Sequence, residues 1–315
     1  MEIISLFTII TIVLSVTLTS VGVGIGESFT SIAAIKSINI QPKAASDINR
    51  TSIFGMALTE TSAILALVIA IMLIINTTNY GYYASLSYLG IAFALSISGA
   101  TIGIVSAMPA SAACFAIARQ PFFASNILNV MLLTISFIQT PIIFGFIVAL
   151  LINYQLTSCI TLGDSLRLIS AGICIGLGSV GPTIGLAKFA KSASESLGLN
   201  RYSYDKVLTF TFLSEALIET PVVFALVTSL LLLTISVPTT FKGLIVLAAA
   251  LCVGLGNVAP GISSGHTASS ACLQIAKDTE LYPIISKTSM LAQGLIDSMT
   301  IYCWMVSLLL IFFAG

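Results

Sequence analysis

The sequence predicts an all-α membrane protein whose eight transmembrane helices form four tandem helical hairpins. Three observations carry that prediction. Of 315 residues, 57% are hydrophobic and 8% charged, with a mean hydropathy of +1.09, too apolar for a water-soluble fold. About eight runs reach the roughly 20 apolar residues that a membrane-spanning helix needs. A polar residue also recurs in every second run, as Glu60, Gln139, Glu219 and Asp297, at steps of 79, 80 and 78 residues.

Taken in order, the runs lie near 5–34, 52–76, 84–118, 126–153, 166–194, 206–233, 241–275 and 284–313. They pair into hairpins at 1–78, 79–160, 161–237 and 238–315. The first run resembles a signal peptide, but nothing basic precedes it and no small-residue cleavage pattern closes it, so a retained helix is expected. Lys36, Lys43, Arg50, Arg119, Lys188, Lys191, Arg201, Lys206, Lys277 and Lys287 lie in or beside the connections after odd-numbered helices. Arg167 and Lys242 fall near the other side. The positive-inside bias then places the intra-hairpin loops in the cytoplasm and both termini outside, in the plasma membrane of a bacterium or archaeon. Twelve basic and twelve acidic residues balance, and no nucleic-acid partner is expected. The six cysteines are scattered singly and read as small packing residues.

An acidic group deep in a bilayer costs about 2.5–3.5 kcal/mol even on the lenient insertion scale, so Glu60, Glu219 and Asp297 read as ion-handling sites. Thirty-three positions before each repeat residue lie Glu27, Ser106, Leu186 and Ser264. In the first pair the turn falls midway between Glu27 and Glu60. At 1.5 Å per residue both sit roughly 20–25 Å from it, at one depth. The first helix of each pair is rich in closely spaced glycine, including Gly22 and Gly26, Gly99 and Gly103, Gly181 and Gly185, Gly261 and Gly265. Small residues four apart let helix backbones approach closely, which suits an inner layer. Pro182 and Pro260 share one repeat position, where a kink is expected in both helices. His266 reads as a packing residue, and Trp304, Tyr80, Tyr82 and Tyr83 as lipid or interface residues.

With these features the chain resembles four fused copies of the rotor-ring proteolipid, or c-subunit, of rotary ATP synthases and ATPases. That family's hairpin has a Gly-rich inner helix, an Arg-Gln-Pro loop and an outer helix with one ion-binding carboxylate. Here Gln41-Pro42 precedes Glu60, and Arg119-Gln120-Pro121 precedes Gln139, each by 18 residues counted from the proline. The resemblance implies that the hairpins form part of a c-ring and that Glu60, Glu219 and Asp297 bind the translocated ion. It implies auxiliary ligands at Glu27, Thr61, Thr220, Ser264, Ser298 and Tyr302, and stalk contacts at Gln41, Pro42, Arg119, Gln120 and Pro121. Thr140 falls on the same hydroxyl position as Thr61.

Departures from the family pattern carry their own expectations. Gln139 cannot ionise and is a silenced site. Leu186 removes a ligand from the third site, for which Glu215, one turn before Glu219, can compensate. The third and fourth loops lack Gln-Pro. The resemblance further implies a non-catalytic membrane component with no cofactor, translocating H⁺ or Na⁺. Its implied partners are other copies of the chain, other proteolipids, the stator's a-subunit, which supplies an Arg, central-stalk proteins and membrane lipid. Oxygen ligands suit a hard cation such as Na⁺, and close carboxylates such as Glu27 and Glu60 share a proton when no metal binds. The alternative is a proton-coupled secondary transporter, although such folds use inverted or two-fold repeats.

Overall fold

The computed structural model describes residues 2–75 and 81–314. Tyr80 and the expected hairpin boundary at 78/79 lie outside the described residues. Among the described residues all regular structure is helical. The first hairpin comprises α1 (Glu2–Ile40) and α2 (Ala45–Ile75), and the second α3 (Tyr82–Val105), α4 (Ala107–Arg119) and α5 (Ala124–Gln155). The third comprises α6 (Leu162–Leu199) and α7 (Tyr204–Thr234), and the fourth α8 (Thr240–Gly256), α9 (Val258–Lys277) and α10 (Tyr282–Ala314).

With α3–α4 and α8–α9 counted as interrupted single crossings, eight helical spans of 34–38 residues are long and apolar enough to cross a membrane. They exceed the expected apolar runs because helix continues beyond the roughly 30 Å hydrocarbon core. The expected intra-hairpin loops are in fact tight 3₁₀ turns, Pro42–Ala44, Pro121–Phe123, Arg201–Ser203 and Thr279–Leu281.

Two chemistries build the same turn. The preceding residues Gln41, Gln120, Asn200 and Asp278 share one extended backbone shape, with φ between −129° and −144°. In the first two turns proline opens the 3₁₀ helix, where its missing N–H would have no partner anyway. The other two lack proline, and the preceding side chain caps the turn instead. Asn200 Oδ1 accepts from the Tyr202 backbone N–H at 3.0 Å, and Asp278 Oδ1 from that of Glu280 at 3.0 Å.

The expected kinks are half met. α6 runs unbroken through Pro182. Interruptions fall at Ser106 and Asn257, each three residues before a proline, Pro109 or Pro260. A proline withdraws the N–H that the carbonyl four residues earlier would use, and its ring crowds that carbonyl.

The hairpins stand side by side in two layers. α1, α3–α4, α6 and α8–α9 form one, and α2, α5, α7 and α10 the other. Glycine sets the spacing of the first layer. A Cβ on Gly103 would fall 2.5 Å from the Val23 nitrogen, and one on Gly90 2.6 Å from the Leu168 carbonyl oxygen. Gly185 meets Gly261 and Gly265 backbone to backbone. In the second layer, α5 buries Ile135, Ile138 and Ile142 and leaves Ile143 and Ile147 exposed. At the terminus-side end, Gln155 Nε2 and Arg167 Nη1 both donate to the Leu233 carbonyl, at 2.9 and 2.7 Å, tying the second and third hairpins together. Thr161 and Asp164 close a capping box at the start of α6.

Candidate functional site

The repeat polar residues lie near the middle of outer-layer helices, and two of them, Gln139 and Glu219, reach back toward the preceding hairpin. Gln139 on α5 is buried, and its Nε2 donates to the Leu58 carbonyl of α2 at 3.0 Å. Glu219 on α7 is half-buried and lies beside the Thr140 side chain of α5. On α10, Gln293 donates to Ser214 Oγ of α7 at 3.4 Å. Gln139, Glu219 and Gln293 thus face the preceding hairpin, and Thr140 lies beside the acid of the next hairpin.

Glu60 has no preceding hairpin in the chain and is exposed on α2. Its close neighbour is Glu27 of α1, whose buried Oε1 has no protein partner. Thr61 beside it is half-buried. This pairing of α1 with α2 is the one expected from the 33-residue spacing.

The other 33-residue pairs behave differently. Ser106 is buried at the α3–α4 break, and Leu186 is fully buried, an apolar residue in the third position. Ser264 donates to Gln293 Oε1 at 3.4 Å, one turn from Asp297. Asp297 is 6% exposed, and its Oδ1 has no protein partner. Glu215 is fully buried one turn from Glu219, with both carboxyl oxygens unpartnered.

Several expected ligands hydrogen-bond their own helix. Thr220 Oγ1 donates to the Ala216 carbonyl at 3.2 Å, and Ser298 Oγ to that of Leu295 at 2.6 Å. The Tyr302 side chain is 58% exposed. Of the turn residues, Pro42 and Arg119 are exposed, whereas Gln41, Gln120 and Pro121 are half-buried. His266 is exposed and contacts Lys188 across α6 and α9, contrary to a packing role. No group of three or more His, Cys, Asp or Glu side chains is arranged to hold a metal ion among the described residues.

Two participants escaped the sequence reading. Gln293 bridges Ser264, Ser214 and Ser289. Its signal was available, since it occupies the repeat position of Glu215. The Leu58 carbonyl is a backbone group and leaves no residue-type signal.

Tandem hairpins of membrane length, packed through glycine and carrying acids at mid-helix, define a class of multi-pass integral membrane protein with ionisable groups inside its crossings. Residues 10–73, 169–232 and 247–310, together more than half of the chain, each match the family of the ATP synthase C-subunit. The chain belongs to that family. The second hairpin, which carries Gln139, lies outside the matched segments. Among similar proteins, an ATP synthase c-subunit of Cereibacter sphaeroides is 33% identical over 75 residues, 24% of this chain and 90% of the relative. The ATP synthase c-subunit of Gloeobacter violaceus is 43% identical over 67 residues, 21% of this chain and 82% of the relative. That of Nostoc sp. is 42% identical over 67 residues, 21% of this chain and 83% of the relative. Each match is thus about one hairpin long.

Proposed function

We propose that the chain is an ion-carrying rotor-ring component of a rotary ATP synthase or ATPase. Glu60, Glu219 and Asp297 each carry one cation, a proton or Na⁺, and the second hairpin carries none. The observation that favours this most is the contrast between equivalent positions. At Glu219 an acid faces a hydroxyl of the neighbouring helix, whereas Gln139 fills the equivalent place with an amide N–H held on the Leu58 carbonyl. An amide there is neutral, with Nε2 held and Oε1 without a protein partner, and it neither takes up nor releases a proton.

In lipid, an ionised carboxyl is stable only when a cation neutralises it. Discharge therefore requires a partner that supplies a positive charge and water, which is the role of an Arg-bearing stator protein. Exchange there, followed by rotation, moves cations across the membrane and couples them to ATP through a central stalk that meets the 3₁₀ turns. The chain itself is the non-catalytic membrane part. The basic residues beside those turns favour a cytoplasmic position for them, in a bacterial or archaeal plasma membrane, with both termini outside.

The exposed edges favour assembly with further copies or other proteolipids. A Cβ on Gly24 would meet nothing within 4 Å, whereas its repeat equivalents Gly103 and Gly261 pack on the preceding inner helix. Membership in the c-subunit family disfavours the secondary-transporter alternative.

A hydrophobic carbodiimide tests the reading. Modification at Glu60, Glu219 or Asp297, located by peptide mass, should block ATP-driven transport in proteoliposomes. Protection by Na⁺ identifies sodium as the ion, and modification that quickens at low pH and is insensitive to Na⁺ identifies the proton. Modification that leaves transport intact would sink the proposal.

A further inference from the structure

The buried face of α10 is inverted relative to what lipid favours. Its buried residues are Ser286, Ser289, Gln293, Asp297, Thr300, Ser307 and Ile311, polar in every case but the last. Spacings of three, four and seven put them on one helical stripe. In α5 the positions equivalent to Ser289, Gln293, Thr300 and Ser307 are Met131, Ile135, Ile142 and Ala149. The polar stripe is therefore no common feature of the repeat.

The two halves of the stripe differ in how their polar atoms are satisfied. Toward the turn, Gln293 closes the seam, because its Oε1 accepts from Ser264 and its Nε2 donates to Ser214 and Ser289. Ser286 donates to the Pro283 carbonyl. Toward the termini, Asp297 Oδ1, Thr300 Oγ1, Trp304 Nε1 and Ser307 Oγ are buried and have no protein partner. Asn257 Oδ1, at the α8–α9 break, is a fifth such atom.

Two of these groups, on Asn257 and Trp304, lie at one level of the seam. Asn257 Nδ2 donates to the Pro221 carbonyl at 2.6 Å, which fixes the amide orientation and leaves Oδ1 as the free acceptor. The Trp304 ring lies 5.0 Å from Phe224, three residues further along α7. A Cβ on Gly256 would fall 2.6 Å from Cys303 Sγ, so the neighbours of Asn257 and Trp304 touch. An indole N–H only donates, and an amide oxygen only accepts. Neither can be satisfied by its own helix, and in a bilayer such groups need a partner.

We propose that the seam between the third and fourth hairpins binds a short file of ordered water molecules on the terminus side of Asp297. Asn257, Thr300, Trp304 and Ser307 hold it and lead it to the carboxyl. From Asp297 to Ser307 is roughly 15 Å along the helix, half the thickness of a hydrocarbon core. The file reaches the terminus-side interface and stops at the Gln293 cluster on the other side. The file hydrates the Asp297 site from one side only, and discharge of its cation still requires the positive charge of the partner. The functional part of the inference rests on the ion-carrier role of Asp297, whereas the water site itself does not.

Trp304 is the chain's one tryptophan and reports directly. The full-length protein in phosphatidylcholine vesicles is transferred from H₂O to D₂O, and its tryptophan emission is followed. The indole N–H should exchange and the emission rise, while Thr300→Val with Ser307→Ala should slow that exchange by about tenfold. An indole that stays unexchanged, or exchange unaffected by the double variant, would overturn the proposal. Since wild-type exchange needs no substitution, a poorly folding variant does not remove the test. Wet indole with carbodiimide-insensitive transport would strike the ion-carrier reading alone, and dry indole with normal transport this proposal alone.

Discussion

Replacing Gln139 by Glu should turn the silent hairpin into a carrier. The wild-type amide donates to the Leu58 carbonyl at 3.0 Å, a contact worth about 1 kcal/mol net. A neutral carboxyl offers an O–H to the same oxygen, so the variant keeps that contact and should assemble. Once ionised without a counter-charge it would cost at least about 2.5 kcal/mol in lipid, so it should hold a cation until a partner discharges it. The number of carboxylate carriers per chain then rises from three to four. Each charge moved through 100 mV is worth about 2.3 kcal/mol, and the membrane potential that balances a fixed ATP free energy falls to about three quarters of its former value. The assay is the reversal potential of ATP-driven transport in proteoliposomes at clamped ATP, ADP and phosphate. An unchanged reversal potential in unlabelled rings, when a separate sample shows the introduced carboxyl to be reactive toward carbodiimide, would refute the reasoning.

Other substitutions probe separate links. Thr140→Ala removes the hydroxyl that serves Glu219 across the hairpin boundary, and cation protection of Glu219 against carbodiimide should weaken by about fivefold, with Thr140→Ser restoring it. Gly103→Leu forces a side chain into the Val23 backbone and should cost about 1–3 kcal/mol, read as a lower melting temperature of the detergent-solubilised protein. Gly24→Ala meets open space and should leave the melting temperature of the isolated chain unchanged. Asp278→Ala loses the cap on Glu280 and should cost about 1 kcal/mol in the same assay, with Asp278→Asn close to wild type.

Much of this architecture was legible because lipid simplifies the code. Apolar length defines the crossings, and the 78–80 residue recurrence of Glu60, Gln139, Glu219 and Asp297 defines the hairpins. The close approach of Gly22, Gly103, Gly185 and Gly265 followed from glycine spacing. Proline was less informative, since Pro182 continues a helix whereas Pro109 and Pro260 interrupt theirs, although all three withdraw the same N–H. Asn200 and Asp278 build the same turn as Gln-Pro through side-chain capping, so the absent proline overstated the difference between the loops. Within the sites, residue type located the acids but not their partners. Thr140 faces Glu219, and Ser264 faces Gln293, because rotation about the helix axis sets who meets whom.

The most direct test of three carriers and one silent hairpin is ATP-driven cation uptake by proteoliposomes holding rings of two designs. One combines Glu60→Gln, Glu219→Gln and Asp297→Asn, and the other carries Gln139→Leu alone. The account predicts no uptake from the first, despite a ring intact on a native gel, and coupled uptake from the second. Uptake by the triple variant, or its loss from Gln139→Leu in an intact ring, would contradict the account.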